Sequence, residues 1–341
     1  MRPVRISLGL VACVLAASCS GPGQAGVAQA VPSTGALEST ASAAGPATTE
    51  TTYPVAPAST PSPAARPAAP MKPGDYDETI VVGGLTRTYI LHIPPGYEQS
   101  SALPLVFVLH GRGGTGKGMI GTGMSTLADQ ASFVVVYPDG TGDPRGWNSG
   151  LHVDEQAADD VAFIQTLIDK LGNDLGLDLK RVYVAGFSAG AIMAYRLAAQ
   201  LSDQIAGIAV VEGTMSNKQP DGTWLTIPNP TSPVAAIIFH GKQDTHIPYN
   251  GGQGNGAGKL YVRPVTDAVS ALVKSDGCSE TPTTITSGDG NVTRQVYNSC
   301  AAGSEVIFYS IVNGQHEWPS VKHNGISATS LIWEFFRKQS K

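Results

Sequence analysis

Four cysteines in 341 residues are too few for a small disulfide-built scaffold or a multi-cysteine metal cluster. Charge is also sparse, with 22 Lys and Arg against 27 Asp and Glu, a formal balance of −5. No basic cluster appears, which argues against a nucleic-acid partner. No apolar run reaches the about 20 residues that a membrane-crossing helix needs. What the chain does have is an apolar share of 42%, with 40 glycines and 24 prolines. That length and apolar content suffice for one large domain or two small ones. Part of the Gly and Pro excess sits in one stretch, so the chain holds at least two kinds of segment.

Residues 1–18 read as an export signal. Met1–Arg5 carries two arginines, and Ile6–Ala17 is apolar and small. A short basic start, an apolar run of about a dozen residues and small residues at the cut describe a secretory signal peptide. Leu15-Ala16-Ala17-Ser18-Cys19 resembles a lipobox, in which Cys19 becomes the lipidated first mature residue. Leu10–Cys13 fits such a box too but leaves a very short apolar run, and an ordinary cleaved signal with an incidental Cys is the plainer alternative. Lipidation would leave the protein exported and held at a membrane only through this anchor. Residues 19–72 are rich in Ala, Pro, Ser and Thr, with few charges and one aromatic, Tyr53. Such a stretch cannot bury enough apolar surface to offset its ordering entropy, and it is expected to be a disordered, partly extended linker.

From residue 73 to 341 the texture becomes one of short β-rich runs alternating with helical patterns. Ile80–Val82 and Leu85–His92 flank Gly83-Gly84 as a hairpin. The runs 105–109, 133–137, 182–185, 208–211, 235–239 and 306–311 are apolar throughout, as suits the buried interior of a parallel sheet. Val161, Ile164, Leu167, Ile168 and Leu171 repeat at helical spacing, started by Asp159 or Asp160 and ended by Gly172. Residues 189–201 and 327–338 are further helices. This alternation predicts an α/β domain with a doubly wound, mostly parallel sheet and an N-terminal antiparallel hairpin.

Gly186-Phe187-Ser188-Ala189-Gly190 directly follows the run 182–185 and opens a helix, the setting a nucleophile elbow requires. A turn that tight leaves no room for a Cβ at either flank and throws the serine side chain outward. A serine hydroxyl needs a neighbouring imidazole to take its proton, and that imidazole needs a carboxylate to orient it. In the α/β-hydrolase order the acid and then the histidine follow, each in a loop at the carboxyl end of a strand. Asp244 is the one carboxylate in the loop after 235–239, and His316 lies just past 306–311. His240 is read as structural, His323 as a surface residue, and His246 remains a further imidazole near the acid. The loop His110-Gly111-Arg112-Gly113-Gly114 follows 105–109, and its backbone N–H at Arg112 pairs with that of Ala189 as the expected oxyanion donors. A phosphate-cradling role for this loop fails on the Walker spacing.

These residues carry a resemblance. From about Thr86 to Trp333 the chain is similar to the secreted esterase family of polyhydroxybutyrate depolymerase-like proteins, LpqC-type lipoproteins and feruloyl or acetylxylan esterases. The motifs concerned are Arg87-Thr88-Tyr89, His110–Gly114, Tyr137-Pro138-Asp139-Gly140, Gly146-Trp147-Asn148, Gly186–Gly190, Asp244 with 247–252, and His316 with Trp318-Pro319. The resemblance implies an α/β-hydrolase fold without a large lid domain, a Ser188–Asp244–His316 triad, no cofactor and an ester substrate, polymeric by analogy. Arg112 and Gln315 depart from the family pattern, and both are expected at the cleft.

Cys278 and Cys300, 22 positions apart in an exported domain, are expected to pair, as the resemblance also implies. Asp154, Glu155, Asp159 and Asp160 form an acidic run that is a Ca²⁺ candidate but reads better as a solvated face with a helix cap; no metal is expected. Trp147, Tyr249 and Trp318 lie in loops beside the triad, placed either to stack on substrate or to pack the rim. Two other functions fit the same chain: a serine peptidase or acyltransferase on the same machinery, and a non-catalytic glycan-binding lipoprotein. No protein partner is expected.

Overall fold

The computed structural model describes residues 71–98, 102–152 and 158–341. The signal peptide, Cys19, the linker up to residue 70, and Asp154 and Glu155 of the acidic run lie outside the described residues.

In chain order the first elements are strands β1 (Gly74–Val82), β2 (Leu85–Ile93) and β3 (Leu105–Leu109), helices α1 (Gly116–Met119) and α2 (Met124–Ala131), and strand β4 (Val134–Pro138). Helix α3 (Asp160–Leu175), strand β5 (Val182–Phe187), helix α4 (Ala189–Gln200) and strand β6 (Ile205–Val211) form the middle. Two short pairs follow, β7 (Ser216–Lys218) with β8 (Trp224–Thr226) and, beyond β9 (Ala235–Gly241), β10 (Gly252–Gln253) with β11 (Tyr261–Val262). The chain closes with α5 (Val265–Ser275), β12 (Thr283–Thr286), β13 (Val292–Tyr297), β14 (Val306–Ile311), α6 (Val321–Asn324) and α7 (Ala328–Phe336).

Ten strands form one sheet in the order β1-β2-β4-β3-β5-β6-β9-β14-β13-β12. The six from β4 to β14 run parallel. They are apolar on both faces because helices cover both: Leu105, Phe107 and Leu109 of β3 belong to the core that includes α3, α4 and α5, whereas Val106 and Val108 belong to the core that includes α2 and α7. The expected hairpin is β1–β2, joined through Gly83 and Gly84 at positive φ. The fold is thus the doubly wound α/β architecture read from the sequence. Among the described residues no large insertion stands over the carboxyl ends of the strands.

Three features depart from the sequence reading. The far edge carries a second antiparallel pair, β12 and β13, which was not expected. All four β12 residues are exposed, so the edge strand lacks the apolar signal that marks its buried neighbours. Helix α5 was also missed, although Val265, Ala268, Val269, Leu272 and Val273 bury one face at helical spacing. Finally, α3 starts as expected with Asp159 accepting from the Ala162 N–H, but it runs through Gly172 to end at Gly176 in the left-handed conformation. A Cβ on Gly172 would meet the Leu179 side chain at 2.7 Å, so that glycine serves close packing.

Candidate active site

The strand ends place the site. Ser188 stands between β5 and α4 at φ 55° and ψ −118°, a backbone conformation that L-residues avoid. Its N–H donates to Val211 O (2.9 Å), and its carbonyl accepts from Ala191 and Ile192, so backbone hydrogen bonds fix the turn. The glycine requirement is steric: a Cβ on Gly186 would lie 2.1 Å from Gly190 O, and one on Gly190 2.4 Å from Leu109 O.

His316 follows β14. Its Nε2 is 2.8 Å from Ser188 Oγ and its Nδ1 2.8 Å from Asp244 Oδ2. Asp244 is buried in the loop after β9, and its Oδ1 accepts from the His246 and Ile247 N–H groups at 2.7 and 3.0 Å. Burial pushes the Asp244 carboxyl up, but hydrogen bonds from His316 and Glu212 outweigh it and hold the pKa at about 2. The acid is therefore ionised wherever the protein is folded at ordinary pH, and it accepts the Nδ1 hydrogen of His316. That tautomer leaves Nε2 bare toward the serine hydroxyl. The acid and base loops are clamped together: Gln243 N–H donates to Gly314 O at 2.9 Å, and a Cβ on Gly241 would lie 2.3 Å from that same oxygen.

The glycine loop after β3 lies against Ser188, since a Cβ on Gly111 would be 3.2 Å from Ser188 Cβ. Gly113 and Gly114 donate their N–H groups to Arg145 O and Gly111 O. The N–H groups of Arg112 and Ala189 find no acceptor among the described residues. His110 staples this loop to its neighbour: Nδ1–H donates to Gly111 O (2.7 Å), and Nε2 accepts from Gly140 N–H (2.9 Å). Burial lowers the His110 pKa, which keeps the ring neutral as this pattern demands.

The motifs that flank the site brace it. Arg87 donates to Asp160 Oδ1 at 2.6 Å in a buried pair and reaches Asp139 O, while Asp160 Oδ2 accepts from Asn148 N–H. Asp160 is thus committed to an arginine, and Asp159 to its helix cap, rather than offered to a cation. Trp147 is 5% exposed and donates its indole N–H to His110 O, so it props the glycine loop and cannot stack on a substrate. Tyr249 packs on Phe308 and His240, and Trp318 donates to Thr329 Oγ1. Burial thus assigns Trp147 to packing, whereas Tyr249 and Trp318 are half-buried. Polar side chains surround His316 instead: an open depression of about 740 Å³ is lined by Gln243, Thr245, His246, Gln315, His316 and Glu317. Gln315 is among these lining residues.

Asp244, His246 and His316 bring ligand atoms within 4.8 Å of one another. Both Asp244 oxygens and both His316 nitrogens already have partners, so a metal there would dismantle the serine–histidine contact. His240 is the structural residue expected, bonded through Nε2 to Ile247 O at 2.8 Å, and His323 is exposed. Cys278 and Cys300 form a disulfide that ties the end of α5 to the segment entering β14. Sequence reading missed Glu212, buried immediately after β6 beside Asp244. The available signal was a carboxylate at the carboxyl end of an all-apolar strand.

Residues 87–219 match the model of a family described as esterase PHB depolymerase. Feruloyl esterase C of Emericella nidulans is 28% identical over 260 residues, spanning 73% of this chain and 83% of that protein. Feruloyl esterase D of Neurospora crassa is 25% identical over 276 residues, spanning 76% and 84%. This chain is an esterase of the α/β-hydrolase fold. The fold of the esterase is shared with the acetyl xylan esterase from Aspergillus awamori, at a TM-score of 0.54 and 18% identity over 74% of this chain and 94% of that one. The family model includes Ser188 but ends before Asp244 and His316, which geometry alone joins to Ser188.

Proposed function

We propose that the esterase cleaves carboxylic esters through an acyl-enzyme on Ser188. The observation that carries this reading is the unbroken line from Ser188 Oγ through the His316 ring to Asp244, with 2.8 Å at each junction. Ser188 Oγ adds to the ester carbonyl as its proton passes to His316 Nε2, and Asp244 stabilises the resulting imidazolium. The N–H groups of Arg112 and Ala189 hold the oxyanion, and that neither finds an acceptor among the described residues suits that task. On collapse the carbon–oxygen bond to the alcohol breaks, and the alcohol leaves with the proton from His316. Water then attacks the acyl-enzyme, gives its proton to His316, and the acid departs as Ser188 is reprotonated.

The substrate class is that of acetylated or feruloylated polysaccharide or of polyhydroxyalkanoate, by analogy with the named relatives and the family description. Residues 1–72 fit an exported enzyme tethered through Cys19, and no helix among the described residues is long and apolar enough to cross a membrane. The open polar depression beside His316 suits access by a polymer chain. Purified protein is expected to release p-nitrophenol from short acyl esters, and Ser188→Ala to lose about five to six orders of magnitude in kcat. Activity on amides alone would reject the ester reading. An enzyme whose Ser188 is not labelled by a fluorophosphonate while glycan binding persists would point to the non-catalytic alternative. Parallel assays on the three polymers identify the substrate.

A further inference from the structure

Behind the triad lies a second acid that the reaction scheme above does not use. Glu212 follows β6 directly and is wholly buried, with φ at 54°, a costly backbone conformation for a residue with a side chain. Its N–H donates to Phe239 O (3.0 Å), and Gly241 N–H donates back to its Oε1 (2.9 Å) and Oε2 (3.2 Å). Carboxyl oxygens of Glu212 and Asp244 and a ring nitrogen of His240 lie within 4.8 Å of one another, all three residues buried.

Two buried carboxyls this close favour holding one proton between them, because two ionised ones would repel in a medium that screens poorly. The titratable groups facing Glu212 are Asp244, His240 and, at longer range, Glu317; His316 lies on the far side of Asp244. None is a fixed cation. His240, whose Nε2 is 3.3 Å from Glu212 Oε2, bonds Ile247 O through that nitrogen, and burial lowers its pKa and keeps the ring neutral. The environment also says where the proton resides. Burial first, and the Asp244 contact second, push the Glu212 pKa well up. Asp244, by contrast, accepts from two backbone N–H groups and from His316, which favours its ionised form.

We propose that Glu212 is a positioning residue of the esterase, its carboxyl O–H donating to the Asp244 carboxylate and holding that acid in place against His316. This rests on the triad reading. The relay then has four members: Glu212 fixes Asp244, Asp244 fixes the His316 tautomer, and His316 activates Ser188. A donor on Asp244 also tempers its charge, which sets how firmly the imidazole keeps its proton.

Glu212→Gln retains a donor toward Asp244 and an acceptor toward Gly241, whereas Glu212→Ala retains neither. Expected for Glu212→Ala is a fall in kcat of about tenfold with little change in KM. The acid limb of its pH–rate profile moves to higher pH, since the untempered carboxylate holds the proton on the imidazole. Glu212→Gln restores most of both. Equal behaviour of the two variants, or lowered melting temperature with wild-type kcat and acid limb, overturns the proposal. Should Glu212→Ala not fold, infrared difference spectra of wild type against Glu212→Gln decide. A protonated-carboxyl stretch at neutral pH, absent from the variant, supports the proposal, and its absence from wild type overturns it. Lack of ester turnover and of fluorophosphonate labelling in wild type would strike the triad reading instead, and the infrared band would still report the proton.

Discussion

Ser188 keeps its strained backbone because everything around it is tighter than a side chain allows. A Cβ at position 186 would sit 2.1 Å from Gly190 O and 2.6 Å from Ala191 N, both backbone atoms that cannot swing aside. Gly186→Ala is accordingly expected to lower stability by roughly 3 kcal/mol and to displace the hydroxyl from His316, read as a lower melting temperature together with slower fluorophosphonate labelling. The acid acts differently, through the tautomer it imposes. Asp244→Asn leaves the shape of the loop but presents an amide to His316 Nδ1, and the expected loss in kcat is about 10⁴-fold, with a lower melting temperature at neutral pH because the ionised carboxylate is gone; a melting curve and an ester assay on one preparation separate the two effects. These residues were legible because each stands at the end of an apolar run where chain order dictates its role. Trp147, Tyr249 and Trp318 were not, since an aromatic in a loop reads the same whether it faces substrate or, like Trp147, donates to His110 O behind the site.

The elements show the same divide. The strands from β4 to β14 announce themselves by continuous apolar residues, because two layers of helices take them out of water. Exposed β12 has no such signature, and its pairing with β13 follows only from the finished sheet. Gly172 shows how local signals mislead: a glycine after a helical repeat looks like a stop, yet here the contact with Leu179 requires its small size while the helix continues. The disulfide acts at this scale, joining the end of α5 to the chain entering β14, whose far end carries His316. Closing a loop of 22 residues contributes about 3 kcal/mol in the chain-entropy model. Replacing both cysteines by serine is therefore expected to lower the melting temperature by roughly 6–12 °C, measured by calorimetry against the oxidised protein. Ester turnover at low temperature should persist, because β14 is held independently by β9 and β13.

For the molecule as a whole, the buried acids couple folding to pH in opposite senses. Asp244 has a folded pKa of about 2, below its unfolded value near 4, so its contribution is complete above about pH 4 and is lost as pH falls toward 2. Glu212 is raised, so its contribution is complete below its unfolded pKa near 4.5 and is lost as pH rises through the folded one. Together they place the maximum of stability on the mildly acidic side. Deprotonation of Glu212 in the unfolded chain then draws the equilibrium toward unfolding as the medium becomes neutral and alkaline. Other buried groups titrate too, among them Asp160 and Asp276, so the wild-type curve alone does not isolate the effect. The difference between wild type and Glu212→Gln does, because the amide cannot ionise in either state. Melting temperatures taken from pH 4.5 to 8 are expected to converge or cross, with wild type losing stability relative to the variant at each step upward. Parallel curves would mean that Glu212 ionises alike in the folded and unfolded chain, which its burial against Asp244 forbids.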